Sequence, residues 1–376
     1  SVCLVGIRHR PTNAHCHQSC ACVRAHSCTR GSIAVINEFV SERRLVVPSD
    51  SSHPPRTMST STRLIIDTDC GIDDAVALMA ALCAPCDVEV AAITCVAGNT
   101  TLANVLANVS KVLRVCGRDE VPFYAGCSAS LAQLKISASS FHGEDGLGNC
   151  PPEFPEGPRL RSDVHASLVL IEMAKAAEGE YTLVLLGPCT NLAVADSIDP
   201  NVTSYFRQIV CMGGNIQGRG NVTPGGEFNF VADPEAAHVL VSKSTCPVRL
   251  VPWETITSNC ITWDFYASLM STPTEKGRFL KAICSYTEPY YKSGESDTPD
   301  GYELGDFLAI LCAIRPDSVM RSMRRRVAVE LNGTYTTGQL VQAWTKSLLP
   351  DVTKKTDIAL EFDMAVVRET LLAMVR

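Results

Sequence analysis

Arg63-Leu64-Ile65-Ile66-Asp67-Thr68-Asp69-Cys70-Gly71-Ile72-Asp73-Asp74 is the stretch on which the fold turns. Leu64, Ile65 and Ile66 form a short apolar run that ends in acids, and an apolar helix follows from Asp73 to Cys83. Asp67 and Asp69 are two apart, so on an extended backbone they point the same way. Gly71 permits a tight turn, and Asp73 and Asp74 open the helix, whose positive end favours carboxylates. Four carboxylates within eight residues repel one another strongly unless a cation sits among them. An all-oxygen cluster suits a hard ion such as calcium or magnesium rather than zinc. Helix capping by Asp73 and turn formation by Asp67 account for one or two of these acids, not for four after a buried strand.

Outward from this loop, strands and helices alternate. Strands are predicted at Val88–Val96, Thr182–Leu186, Gln208–Met212 and Val248–Val251. Helices are predicted at Leu102–Cys116, Val164–Ala177, Asn191–Ser197 and Pro234–Ser242. Such alternation specifies an α/β fold with an open, mostly parallel central sheet flanked by helices. Ligands then bind beyond the carboxyl ends of the strands.

The chain of 376 residues is 46% hydrophobic and 19% charged, ample for one large core or two small ones. Its formal net charge of -7 argues against a nucleic-acid-binding face, which needs basic residues to neutralise phosphates. No run of 18 apolar residues is free of charge, so no membrane span is expected. Of 18 cysteines, Cys83, Cys95, Cys116, Cys211, Cys284 and Cys312 sit singly inside apolar runs, where a thiol is a small hydrophobe. Reduced thiols in a cytoplasmic protein are the expectation. Residues 1–57 differ: they hold five of the eight histidines, seven arginines and no lysine. Cys16, His17, Cys20, Cys22, His26 and Cys28 offer zinc-type ligands but match no paired framework. The Arg-rich, acid-poor composition also suits a transit peptide. The expectation is a disordered leader or non-native extension, with a natural start at Met58 and one catalytic domain over 58–376.

Further segments extend the reading. The acidic loop resembles the DTDPGxDD signature of the inosine-uridine-preferring nucleoside hydrolase family, with Cys70 in the proline position. Val96-Ala97-Gly98-Asn99 resembles VxGN, and His142-Gly143-Glu144-Asp145-Gly146-Leu147-Gly148 resembles HGxDGLG. Gly187-Pro188-Cys189-Thr190-Asn191-Leu192-Ala193 is similar to GPxTNLA, and Met212-Gly213-Gly214 to the MGG turn. Glu227-Phe228-Asn229 with Asp233-Pro234-Glu235-Ala236-Ala237 is similar to EFNxxxDPEAA, and Asp306-Phe307-Leu308-Ala309 to the acid-led C-terminal helix. In the same order, these motifs span about 63 to 340.

The resemblance implies a Rossmann-like nucleoside hydrolase fold, a homodimer or homotetramer, and calcium-dependent hydrolysis of the ribonucleoside N-glycosidic bond. It assigns calcium to Asp69, Asp74, Asp306 and the Leu186 carbonyl, with Asp69 also the general base. Asp73 and Asn99 are implied at the ribose 2′- and 3′-hydroxyls, with Asn229 nearby, and Asn221 and Glu227 at the 5′-hydroxyl. These residue types suit the chemistry: carboxylates stabilise a positively charged ribosyl ring, and amides and acids at fixed positions hold hydroxyls. Individually, Glu227 and Asn229 read as alternating on an extended segment, Glu235 as a first-turn acid, and Asn191 as a residue that caps or orients a turn.

The sequence departs from the family at Gly305, where a histidine commonly precedes the C-terminal aspartate and protonates the departing base. His165 and His238 lie in helical segments and read as structural, whereas His142 lies in a loop able to contact substrate. Tyr286, Tyr290, Tyr291 and Tyr302 flank the same region and could stack on the base or donate a hydroxyl. The packing alternative puts Tyr286 and Tyr290, four apart, on one helical stripe. Cys70 in place of proline is expected to loosen the loop slightly. Two other functions fit parts of this pattern. A metal-dependent phosphohydrolase would use the acids but needs a basic clamp, and Arg219 is the one basic residue inside a site motif. A nucleoside-binding homologue without turnover draws on Gly305.

Overall fold

The computed structural model describes residues 61–376, apart from 84, 133–137, 161–162, 294–300, 346 and 350–353. The expectations for residues 1–57 and for a start at Met58 lie outside the described residues. The strands are β1 (Thr62–Thr68), β2 (Val88–Cys95), β3 (Phe123–Ala125), β4 (Tyr181–Leu185), β5 (Gln208–Met212) and β6 (Val248–Val251). They continue as β7 (Ile261–Thr262), β8 (Gly301–Tyr302), β9 (Val319–Arg325), β10 (Val327–Val329), β11 (Leu340–Gln342) and β12 (Thr356–Phe362).

Eight of them make one sheet in the order β3-β2-β1-β4-β5-β6-β12-β9. Every neighbouring pair is parallel except β12 with β9, which are antiparallel. The expected α/β architecture is therefore the one observed. Strand order reverses direction between β1 and β4, which opens a crevice at their carboxyl ends. Asp67 on β1 stands opposite Thr94 on β2 and Leu185 on β4 at that crevice.

Both faces of the sheet are covered at its centre, which is why the central strands β1, β4, β5 and β6 are largely apolar and buried. On β1, Leu64 and Ile66 enter one core, with the helices Ile72–Cys83 and Gly305–Ile314, while Ile65 enters the other. The second core holds the inner faces of helices Ala166–Ala176, Thr190–Ile198 and Pro234–Lys243. All ten residues of Gly305–Ile314 are buried, so the helix that carries Asp306 is anchored by its whole surface.

Local chemistry sets the helix starts. Thr101 accepts the Asn104 backbone N–H and starts Leu102–Val115, and Asp233 accepts from Ala236 ahead of Pro234. His165 plays the same part for Ala166–Ala176, by accepting from Ser167. Glu235 is the first-turn acid that was expected. Two expectations are corrected. Glu227 and Asn229 are not on an extended segment: Glu227 caps the short helix Phe228–Ala232, and Asn229 lies inside it. Tyr286 and Tyr290 share no helix, because Glu275–Cys284 ends before Tyr286 and Glu288–Lys292 begins after it.

Candidate active site

A cavity of about 330 Å³ lies at the carboxyl ends of the strands, in the size range that holds small ligands. Its lining follows the topology: Asp73 after β1, Asn99 after β2, Leu186 after β4, Met212 at the end of β5 and Asn229 beyond it, and Asp306 at the start of Gly305–Ile314.

The acidic loop is locked by hydrogen bonds. Asp74 Oδ1 accepts from the Thr68 hydroxyl at 2.5 Å, and Oδ2 accepts from the Gly71 N–H at 2.8 Å and the Asn99 side-chain amide at 3.0 Å. Asp69 Oδ2 accepts from the Asn99 backbone N–H at 2.6 Å. Only glycine fits against Asp69: a Cβ on Gly98 would collide with its Oδ2, and one on Gly187 would lie 2.7 Å from its Cγ.

Asp73, Asp74 and Asp306 each offer an oxygen within 4.8 Å of the others. Asp73 thus stands in the acidic group, and Asp69 lies beside the three, close enough for its charge to act on Asp306. Asp69 Oδ1, Asp73 Oδ1 and Asp306 Oδ1 are buried without a hydrogen-bond partner. Burial lifts the Asp69 and Asp306 carboxyls well above the usual range, and the neighbouring aspartates push them further. Burial also raises Asp73 and Asp74, the latter helped by Asp73. Buried, unpartnered carboxylate oxygens at this density fit a hard cation, which supplies the missing positive charge.

Asp67 departs from the expected cluster. Its Oδ2 accepts from the Thr94 hydroxyl at 2.6 Å and the Asn191 amide at 2.8 Å, so it faces its neighbouring strand and helix. Asn191 also donates to the Cys95 carbonyl at 3.0 Å and accepts from the Cys127 N–H at 2.8 Å, a wider bracing role than capping. Cys70 brings a hydrogen bond of its own to the loop. Its N–H donates to Thr68 Oγ1 at 3.1 Å, a bond that a proline lacks the hydrogen to make.

His142 lines the cavity, and its Nδ1 accepts the Ile72 N–H at 3.1 Å. Burial pushes its pKa down to about 4, so it is a neutral brace for the acidic loop. Asn229 donates to the Leu186 carbonyl at 2.7 Å, leaving that oxygen a second lone pair. Glu227 accepts from the N–H groups of Gly214 at 2.7 Å, Asn229 at 2.9 Å and Phe230 at 3.3 Å. Burial lifts its pKa to about 7. Asn221 lies exposed on the cavity lining, with Oδ1 accepting from the Phe228 N–H at 2.9 Å.

Of the four tyrosines, Tyr290 and Tyr291 line the cavity. Tyr302 does not: its hydroxyl pairs with Thr287 Oγ1 at 2.7 Å, and its ring packs behind Tyr291 at 4.8 Å between centroids. At Gly305 a Cβ would lie 2.9 Å from Ile256 Cδ1 and 3.2 Å from Met212 Cε. Apolar tips therefore crowd the place of the family's histidine. Phe141, Trp253, Ile256 and Glu303 also line the cavity and were not singled out in the sequence. Trp253 comes two residues past the end of β6, so the strand-end rule applied to Val248–Val251 would have found it. Asp73, Glu227, Glu303 and Asp306 line the cavity, and among the described residues no Lys or Arg lines it to clamp a phosphate.

Comparison with known proteins agrees with this geometry. The family model described as inosine-uridine preferring nucleoside hydrolase matches residues 64–369. A non-specific ribonucleoside hydrolase RihC of Escherichia coli (strain SMS-3-5 / SECEC) is 35% identical over 278 residues, covering 74% of this chain and 87% of that protein. The solved inosine-guanosine nucleoside hydrolase (IG-NH) superposes with a TM-score of 0.76 at 32% identity, covering 84% of this chain and 98% of its own. A purine-preferring ribonucleoside hydrolase from Gardnerella vaginalis gives 0.76 at 27% identity, with the same two coverages. The match runs from inside β1 into the last helix, and the chain belongs to the inosine-uridine preferring nucleoside hydrolase family and is a ribonucleoside hydrolase.

Proposed function

We propose that this hydrolase is calcium-dependent and cleaves ribonucleosides to free base and ribose, with Asp69 as general base. The observation that carries the proposal is the pair of buried, unpartnered oxygens on Asp73 and Asp306, which line a cavity that also presents amides, acids and aromatic rings, with a third such oxygen on Asp69 beside them. Asp69, Asp74, Asp306 and the Leu186 carbonyl would hold the ion, with Asp73 close enough to share it. Calcium, when bound, supplies positive charge that makes the attacking water more acidic.

Asp73 and Asn99 bind the ribose 2′- and 3′-hydroxyls. Asn99 spends one amide hydrogen on Asp74, which leaves its Oδ1 and its second N–H to meet a hydroxyl. Asn229 completes the sugar floor, and Asn221 and Glu227 take the 5′-hydroxyl. Asp69 removes a proton from water as its oxygen bonds to C1′ and the C1′–N bond breaks. The surrounding carboxylates stabilise the positive ribosyl ring, and the electron pair leaves with the base, which then takes up a proton. At the base end Tyr290 and Tyr291 stack, and burial keeps the Tyr291 phenol protonated. The similar proteins carry names that specify inosine and guanosine, purines, or no preference, so purine nucleosides head the substrate panel. A cytoplasmic homodimer or homotetramer in nucleoside salvage completes the proposal, resting on the family's habit.

The test is ribose release from inosine, guanosine, adenosine, uridine and cytidine before chelation, after it, and after calcium is restored. Chelation should lower the rate at least ~100-fold, with recovery on calcium. Full activity in protein verified to be calcium-free would sink the metal assignment.

A further inference from the structure

The cavity has two chemically different ends, and one carboxylate is at the wrong end for the sugar. Phe141, Trp253, Ile256, Tyr290 and Tyr291 give the cavity its aromatic and apolar lining, which we take as the base end, and of the described lining acids Glu303 is the one whose charge acts most on Tyr291. It is 5% exposed yet lines the cavity. Its negative charge acts on the Tyr291 phenol and the Cys260 thiol, which burial already pushes up.

The backbone fixes its place. Glu303 follows β8, which pairs antiparallel with β7, with Tyr302 opposite Ile261. Tyr302 is clamped by its bond to Thr287 and by stacking on Tyr266 at 4.7 Å between centroids. Gly305, two residues on, lines the cavity as well.

We propose that Glu303 reads the base, its carboxylate accepting the N1–H of a 6-oxopurine, and in guanine the 2-amino group as well. An ionised carboxylate only accepts hydrogen bonds, so it selects ring edges that donate. Guanine presents N1–H and the amino group side by side, which matches two carboxylate oxygens as a guanidinium does. Hypoxanthine presents N1–H alone. Adenine presents a bare N1 lone pair, which a carboxylate repels. The order expected is guanosine, then inosine, with adenosine well behind. The inference rests on the nucleoside-cleaving site above and adds the atom that chooses among bases.

The experiment compares kcat/KM for guanosine and adenosine within each protein, because that ratio is independent of the fraction correctly folded. Glu303→Gln offers one donor and one acceptor, the pattern an adenine edge accepts. The guanosine-to-adenosine ratio should fall at least ~30-fold. The unaltered enzyme gives a second test: 1-methylinosine lacks the N1 proton and should be cleaved at least ~30-fold less efficiently than inosine. An unchanged ratio in the variant, or equal use of inosine and its methyl derivative, overturns the assignment. So does a wild-type enzyme that prefers adenosine. Ribose release from no nucleoside at all is a different result, which removes the hydrolase reading and this inference with it.

Discussion

The proposed sugar end and the proposed base end of the cavity are built by opposite means. At the sugar end, Asp69 and Asp74 sit on bonds of 2.5 to 3.0 Å to Thr68, Gly71 and Asn99, which lie at the end of β1 or in the segments that follow β1 and β2. At the base end, Phe141, Tyr290 and Tyr291 meet through ring contacts of 5.3 to 6.0 Å, on short helices far apart in sequence. Directional bonds accept one hydroxyl pattern and penalise its loss. Ring faces accept any flat base and discriminate by degree. The difference teaches that one enzyme can be strict about the sugar and graded about the base.

The largest expected effect probes that asymmetry directly. Replacing inosine by 2′-deoxyinosine should lower kcat/KM by ~10⁴-fold, because the groups that met the hydroxyl are left unpaired, whereas exchanging hypoxanthine for uracil should cost at most ~100-fold. Steady-state assays on the three substrates decide it; a larger loss for the base exchange would erase the contrast.

Next comes the general base. Asp69→Asn should lower kcat for inosine ~10³-fold while KM changes far less, since the amide keeps its size but cannot take a proton. A kcat near the wild-type value would falsify the role of Asp69.

The smallest effect concerns stability. His142 titrates near 6.5 when unfolded and near 4 when buried, so between those values the unfolded chain holds the extra proton. Its contribution is complete above pH 6.5 and is lost as pH falls toward 4. From pH 6.5 to 5 the wild type should lose about 2 kcal/mol more than His142→Asn, read from urea unfolding. Parallel pH profiles for the two proteins would show that His142 is not the brace of the acidic loop.

The acidic loop was legible from its residues because it is local to the end of one strand, whereas Asn99 and Leu186 entered only through the family resemblance and lie, like it, beyond strand ends. Asp67 misled because its partners, Thr94 and Asn191, are distant in sequence and near only once β1 sits between β2 and β4. Glu227 looked extended because capping and alternation share a spacing of two residues. The edge strand β9 carries Arg321, Arg324 and Arg325 and has no apolar run to announce it. Glu303 stayed hidden because two-residue strands leave no periodicity to read.

Asp67 carries one more consequence. It does not line the cavity, yet a single buried oxygen ties the end of β1 to β2 and to the helix behind β4. Loosening that knot would shift three walls at once without removing any group that meets the nucleoside. A variant survey scored on turnover alone would rank Asp67 with the reacting acids, and thermal melting would return it to the framework.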